Sequence, residues 1–397
     1  MVISLLRLLM YLLLLAVAYF AETTASFRDD KCVHALEEKT FEPSQPYSYN
    51  RVLDIGFREK RFRRVRVIAL SEGVEPDDVV NNPCVLRMFL AKLVRRLGEK
   101  GAAVIVIDRW FPARSCPERD AGTEDLISAL KNSTVPIVLG LHTVGVAPNA
   151  NTKSCLQASP RLVFGEAESS PRVRFGLVRL DSDTRKLPLQ WSIYNGKSDD
   201  FSPTLALSAA ELADHDLGQE NRLGFLIKHN VHPYARFVPS ATYPAIKFLC
   251  GLRVDWKTCS SPGDSEDNDV RGRVVVIGFT GPTADMHHAE NSDLPGVVLH
   301  ANYIEALLDG GFYIPISGVW LFVVWYVVMH LLFWRMKSPE LAAGLAFALG
   351  LVFWVGAYLV LTVFGLLLTS WLEVSVTTFL LAILVRYVDA RGHRGIG

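Results

Sequence analysis

The chain has 397 residues, half of them hydrophobic, and its 41 Lys and Arg balance its 41 Asp and Glu. A net charge of zero gives no electrostatic case for nucleic acid, and the length admits one large domain or two ordinary ones. The hydrophobicity is uneven, crowded at the two ends of the chain.

Residues 1–21 (MVISLLRLLMYLLLLAVAYFA) are interrupted only by Arg7. The run is close to the roughly 20 residues that span a bilayer. It reads as a signal peptide or a signal anchor. Ala16–Ala18 (AVA) resembles a small-residue cleavage site, while the thin charged start favours the anchor.

A series of alternating elements follows. RVRVIAL (Arg64–Leu70) has the period-two character of a strand. CVLRMFLAKLVRRLGEKG (Cys84–Gly101) is an amphipathic helix with Leu86, Phe89, Leu90, Leu93, Val94 and Leu97 on its apolar face, ended by Gly98 or Gly101. AAVIVID (Ala102–Asp108) is apolar throughout, as a strand buried on both faces should be. TEDLISALKN (Thr123–Asn132) is a second helix and VPIVLGLH (Val135–His142) another strand. This β-α-β-α-β series predicts an α/β domain with a mostly parallel sheet and flanking helices. Further on, RFGLVRL (Arg174–Leu180) and LPLQWSIY (Leu187–Tyr194) suggest a hairpin around DSDTRK. SPTLALSAAELADH (Ser202–His215) suggests a helix with a Ser cap and Pro in its first turn. RVVVIGF (Arg273–Phe279) is a late buried strand. GVVLHANYIEALLDG (Gly296–Gly310) is a helix with Val297, Ala301, Ile304 and Leu308 on one face.

At the C-terminal end, residues 317–334 form one spanning segment, and RMKSPE (Arg335–Glu340) is a polar break. Leu341–Val385 is too long for one crossing and divides near Glu373, giving spans at 341–365 and 371–388 and a tail at 389–397. With residues 1–21 that makes four transmembrane helices, one N-terminal and three C-terminal. Arg335 and Lys337 lie in the break, and Arg386, Arg391 and Arg394 follow the last span, whereas the turn near Glu373 has no Lys or Arg. The break and the C-terminus are therefore cytoplasmic, and residues 22–315 lie outside the cytoplasm. All six cysteines (Cys32, Cys84, Cys116, Cys155, Cys250, Cys259) fall in that outside domain. An even number in an oxidising compartment permits disulfides with fifteen pairings open; Cys250 and Cys259 are near enough in sequence to pair across a loop.

The densest chemistry is DMHHAENSDLPGVVLHAN (Asp285–Asn302), with His287, His288 and His300. A metal reading would use Asp285, His287 and His300. Extended neighbours such as His287 and His288 point to opposite sides, and no HExxH or CxxC spacing accompanies them, so no metal or other cofactor is expected. A ligand-binding reading rests on position. A loop after the C-terminal end of a parallel strand, entering a helix, is where α/β sheets bind ligands, and Asp108 ends another predicted strand. Asp108, Asp285, His287 and His300 are its candidate residues. A structural reading gives Pro295 and Gly296 to the turn, with His300 and Asn302 hydrogen-bonding loop backbone. GFTGPT (Gly278–Thr283) lacks the lysine of a phosphate loop and no G-x-S-x-G elbow appears, so no catalytic residue is expected.

Several segments, in order, resemble the second type of CHASE domain, the cyclase- and histidine-kinase-associated sensory extracellular domain. LDIGFREKRF (Leu53–Phe62) is similar to the family's D-x-R-F-R opening at Asp54, and NPCVLR (Asn82–Arg87) to W-P-x-x-R at Pro83 and Arg87, without the tryptophan. GAAVIVIDRWF (Gly101–Phe111) is similar to G-A-x-x-I-x-x-D-x-x-F, keeping Asp108. TEDLISAL resembles D-x-x-L-x-x-A-L at Asp125, and SPTLALSAA the S-L-A-L-x-x-A helix. The closest likeness is from Gly272 to Gly310, to G-K-x-V-x-I-G, D-x-H-x-T-P and P-G-V-x-I-H-A. Departures are ALSEG (Ala69–Gly73) for I-D-D and AENSDLP (Ala289–Pro295) for T-P.

The resemblance spans about residues 30–390, three following membrane helices included. It implies a multi-pass sensor in the bacterial inner membrane that detects an extracytoplasmic ligand. Such a sensor signals to a cytoplasmic kinase, cyclase or caspase-like peptidase. Here only RYVDARGHRGIG (Arg386–Gly397) follows the last span, so the expectation is either a stand-alone form, with the output partner expressed separately or a homodimer offering a docking surface, or a longer protein whose output domain follows. The alternative is a non-catalytic membrane assembly or scaffold subunit that binds an extracytoplasmic protein.

Overall fold

The computed structural model describes residues 62–71, 75–111, 116, 120–145, 156–158, 170–181, 184–194, 199–214, 217, 221–235, 242–250, 270–280, 284–289, 292–316, 352, 356 and 366–368. The chain divides into two compact units, residues 35–312 and a second made of 1–34 with 313–397.

In the first unit the elements run β1 (Val65–Ser71), α1 (Asp77–Asn81), α2 (Pro83–Glu99), β2 (Val104–Ile107), α3 (Ala121–Lys131), β3 (Ile137–Leu141), β4 (Thr143–Gly145), β5 (Leu156–Ala158), β6 (Val173–Leu177), β7 (Gln190–Tyr194), β8 (Asp199–Pro203), α4 (Leu205–Ala213), α5 (Asn221–Lys228), β9 (Tyr234–Ala235), β10 (Thr242–Pro244), α6 (Ala245–Cys250), β11 (Val274–Thr280), β12 (Met286–Ala289), β13 (Ser292–Pro295) and α7 (Gly296–Leu308). Six strands form the main sheet in the order β10-β1-β11-β2-β3-β6, with every pair parallel. The late strand β11 is thus inserted between two early ones.

Local chemistry explains the boundaries. Asn82 caps α2 by accepting from Cys84 N and Val85 N (3.0 and 3.4 Å), with Pro83 at the first position, where its missing N–H costs nothing. Gly101 ends that helix with φ 76°, a conformation that favours glycine. All six apolar residues expected on the α2 face are buried. The helix at Thr123 begins two residues earlier, at Ala121, because Asp120 caps it through Thr123 N (3.1 Å).

Strand residues alternate between two packed layers. Ile68, Leu70, Ile105, Ile107, Ile137, Leu139 and Ile277 share a core with α2, α3 and α6. The opposite face meets α4 and α7. There the helices come so close that only glycine fits beneath them. A Cβ on Gly278 would lie 2.7 Å from Val297 of α7, and one on Gly176 would lie 2.5 Å from the Leu205 backbone of α4.

Two sequence expectations are corrected and two are sharpened. Arg174–Leu180 and Leu187–Tyr194 do not form a hairpin. β6 joins the main sheet beside β3, and β7 pairs antiparallel with β8 in a separate sheet ordered β4-β5-β7-β8. The cap of α4 is Thr204, accepting from Leu207 N (3.3 Å), while Ser202 and Pro203 extend β8. β1 lies between two strands and is buried from Val67 to Leu70, so its apparent alternation is not a half-exposed face. Finally, α7 has no exposed face: every residue from Gly296 to Leu308 is buried.

Cys84 is bonded to Cys116, a pairing the sequence left open. Cys259 and the side chain of Cys250 lie outside the described residues, as does the acidic stretch 261–269. In the second unit, Ile314–Ile316 of β14 (Phe312–Ile316) pairs in parallel with β15 (Leu366–Leu368). Among the described residues no helix is long and apolar enough to cross a membrane. The expected spans at 1–21, 317–334, 341–365 and 371–388 and the tail lie outside those residues, apart from the helical Val352 and Gly356.

Candidate functional site

Three strands of the main sheet end at one place. Asp108 follows β2 directly and extends the ladder, its N–H donating to Ile277 O at 2.8 Å. Val178 follows β6, and the segment after β11 leads through Ala284 and Asp285 into a hairpin of β12 and β13, paired Met286↔Pro295. That hairpin, expected as an extended loop, returns the chain to the start of α7. Gly296 N donates to Asp285 O (2.9 Å), which ties the first residue of α7 to the hairpin's base.

Between these parts lies a cavity of about 220 Å³ lined by Asp108, Arg109, Val178, Leu180, Phe279, Ala284, Asp285, Gly296, Val297 and His300. It sits beyond the carboxyl ends of adjacent parallel strands, the position where open α/β sheets bind ligands. Three of the four candidate ligand-binding residues, Asp108, Asp285 and His300, are on its wall. The fourth, His287, pairs with Asp285 through Nε2 and Oδ2 at 2.8 Å. Gly296 is on the wall too, and Pro295 is the backbone N-cap of α7. Asn302 is buried, and its Nδ2 donates to Val298 O one turn back in its own helix, at 2.9 Å.

The electrostatics differ from wall to rim. Burial raises Asp108 above the usual carboxylate range, opposed by the nearby His300. The hydrogen bond from His287 lowers Asp285, so this exposed rim carboxylate is ionised at neutral pH. Burial lowers His300 and keeps its ring neutral. His300 Nε2 faces two acceptors, Val178 O at 3.2 Å and Asp108 Oδ1 at 3.9 Å, so the proton is assigned to Nε2. Its Nδ1 is then a bare acceptor, buried and without a partner among the described residues.

Sequence reasoning missed Arg109. Its guanidinium lies 4.7 Å from the centre of the Phe279 ring and forms no hydrogen bond or ion pair among the described residues. The signal was available: a cation immediately after the buried strand that ends in Asp108 stands at the carboxyl edge of the sheet. Phe279 was also missed, because it reads as the last core residue of β11.

The wall offers fixed donors and acceptors against apolar surface, and among the described residues it includes no Ser, Thr or Cys. That composition suits binding a small polar solute. One cluster of metal-ligand types gathers among the described residues, Cys84, Cys116 and Asp120, and its two sulfurs are joined to each other.

Comparison with curated proteins and with solved structures gives no significant match. The model of one protein family, the CHASE2 domain, matches residues 34–335. The match takes in the sheet, the cavity and α7, and the chain therefore belongs to the CHASE2 domain family of extracellular sensory domains.

Proposed function

We propose that the chain is a bacterial inner-membrane sensor whose residues 22–315 lie outside the cytoplasm and bind a small ligand through Asp108, Asp285, His287 and His300. Residues 1–21 anchor it, spans at 317–334, 341–365 and 371–388 follow, and the tail at 389–397 is cytoplasmic. The distribution of Lys and Arg supports this topology. So does the pairing of Ile314–Ile316 with Leu366–Leu368, since two segments in one ladder share a side of the membrane and an even number of spans must separate them.

The observation that carries the reading is the cavity at the start of α7. This helix is about 20 Å long, buried throughout, and continues in sequence toward the first C-terminal span. A ligand shifts such a device only if it binds one arrangement of the helices more tightly than the other. The receiver is a cytoplasmic kinase, cyclase or caspase-like peptidase, as the family's architecture implies. Sensing, rather than turnover, is what the wall supports.

Thermal unfolding of the purified full-length chain in detergent, against amino acids, sugars, polyamines and dicarboxylates, tests this. A stabilising shift that disappears in Asp285→Asn is expected. No shift with any solute, together with capture of one extracytoplasmic protein, would favour the scaffold alternative.

A further inference from the structure

The cavity holds both signs of charge. Arg109 presents a guanidinium whose hydrogen-bond donors meet no acceptor among the described residues. Asp285 keeps one oxygen free, since His287 occupies only Oδ2. His300, 2 % exposed, closes the same wall. The wall also includes Gly296 and Val297, the first two residues of α7, whose N-cap Pro295 supplies no side-chain hydrogen bond. A volume of about 220 Å³ is below the roughly 300–1,000 Å³ of sites for drug-sized ligands.

From this juxtaposition we infer that the sensed molecule is a small zwitterion with a carboxylate and an ammonium on neighbouring carbons, that is, an α-amino acid or a close relative. The inference rests on reading the cavity as the sensor's ligand site. Arg109 takes the carboxylate as a two-pronged fork, helped by the positive dipole end at the start of α7. The ammonium donates to Asp285 Oδ1 and to the Asp108 carboxyl, the acceptors that the wall offers it.

Each sign excludes a simpler ligand. An inorganic anion or a monocarboxylate would leave Asp285 facing it with like charge. A plain amine would leave Arg109 unmatched and would meet its repulsion. A sugar would satisfy the acceptors while stranding the guanidinium. A zwitterion leaves none of these groups unmatched. The neighbouring Val178, Leu180 and Phe279 leave space for a short apolar or hydroxylated side chain.

The test uses the full-length chain in detergent, with calorimetric titration and thermal unfolding. The probes are the proteinogenic L-α-amino acids, N-acetyl-L-alanine, L-alanine methyl ester, ethylamine, acetate, phosphate and glucose. At least one free amino acid should bind, and its N-acetyl and ester derivatives should bind at least about tenfold more weakly. Asp285→Asn, at an exposed position, should lower affinity by at least about tenfold without changing the fold. Arg109→Lys should retain part of the binding that Arg109→Gln loses, because it keeps charge but not the fork. Equal binding of the ester or the N-acetyl derivative would overturn the inference, as would binding confined to phosphate, an amine or a sugar. Either result leaves the cavity as a ligand site. If no probe of any class binds, the ligand-site reading fails and the inference with it.

Discussion

The two faces of the central sheet are built by different rules. On one, Ile and Leu from β1, β2, β3 and β11 meet α2, α3 and α6 in a core that is almost wholly apolar. Its buried cation, Arg87, is held between α2 and α3 by Thr123 (Nη1 to Oγ1, 2.6 Å). On the other, the same strands present Val67, Ala69, Val104, Val106, Val138 and Gly278, and the helices lie closer. Here the buried surface of α7 is polar at intervals, with His300, Asn302 and Glu305. The first face obtains its stability from volume and tolerates small changes of shape. The second depends on particular hydrogen bonds and on missing methyl groups, and it also bears the cavity. An element that must report on a ligand is better held by a few specific contacts than by a deep apolar interlock, because such contacts have discrete alternatives.

That contrast can be broken at Glu305. Its carboxylate accepts from the consecutive N–H groups of Arg63, Arg64 and Val65 at 2.8–3.3 Å, so the end of α7 holds the start of β1. The Arg64 side chain adds a pairing with Asp309 at 3.5 Å. The start of β1 and the end of α7 are thereby fastened together. Glu305→Ala strands three N–H groups and should cost about 3 kcal/mol, read as a lowered midpoint of urea unfolding. Glu305→Gln, which keeps an acceptor, should cost clearly less. If both variants unfold like the parent, the polar face is not held by these bonds.

Gly278→Ala comes next. The added Cβ would meet Val297 at 2.7 Å, and overpacking of this kind costs about 1–3 kcal/mol. Because Val297 is also on the cavity wall, the same variant should weaken ligand binding. On the opposite face Ile105→Val should cost only about 1 kcal/mol, through a lost methylene, and should leave binding unchanged. Calorimetric titration of the two variants separates them. Equal effects on binding would show that the faces are not distinct.

This division also marks how far the sequence was legible. The apolar face announces itself through periodicity: the α2 stripe from Leu86 to Leu97 and the run Val104–Ile107 predict their own burial. The parallel sheet follows from their alternation. The order of the strands does not, because inserting β11 between β1 and β2 depends on pairing between residues far apart in sequence. Asp108, Asp285 and His300 could be brought together on paper by the rule for strand ends, which needs no side-chain detail. Arg109 could not be singled out in that way, since its lack of a partner is a property of the folded neighbourhood. The full burial of α7 was hidden as well: His300, Asn302 and Glu305 are polar, and only their partners at Val178, Val298 and Arg63–Val65 show why they are inside.

The smallest expected effect is also the most specific to the polar face. His300 is lowered by burial, so between its folded value and its ordinary value of about 6.5 the unfolded chain binds the proton more tightly. Its contribution to stability is therefore present above that ordinary value and is lost as the pH falls through it. Asp108 and Glu305, both raised by burial, act in the opposite sense. Their folded forms hold protons more tightly, so they favour the fold at low pH and lose that contribution as the pH rises above the ordinary carboxylate range. The groups that act on His300 are Asp108, at the end of β2, and Asp285 and His287, at the hairpin, so the opposed titrations belong to one neighbourhood. His300→Asn removes the arm that rises with pH and also removes the cation-forming neighbour that lowers Asp108. In the variant, stability between about pH 5 and 6.5 should stay flat or fall with rising pH, where the parent's rises. Urea midpoints measured across that interval check the sign. A rise that persists in His300→Asn would assign it to another histidine.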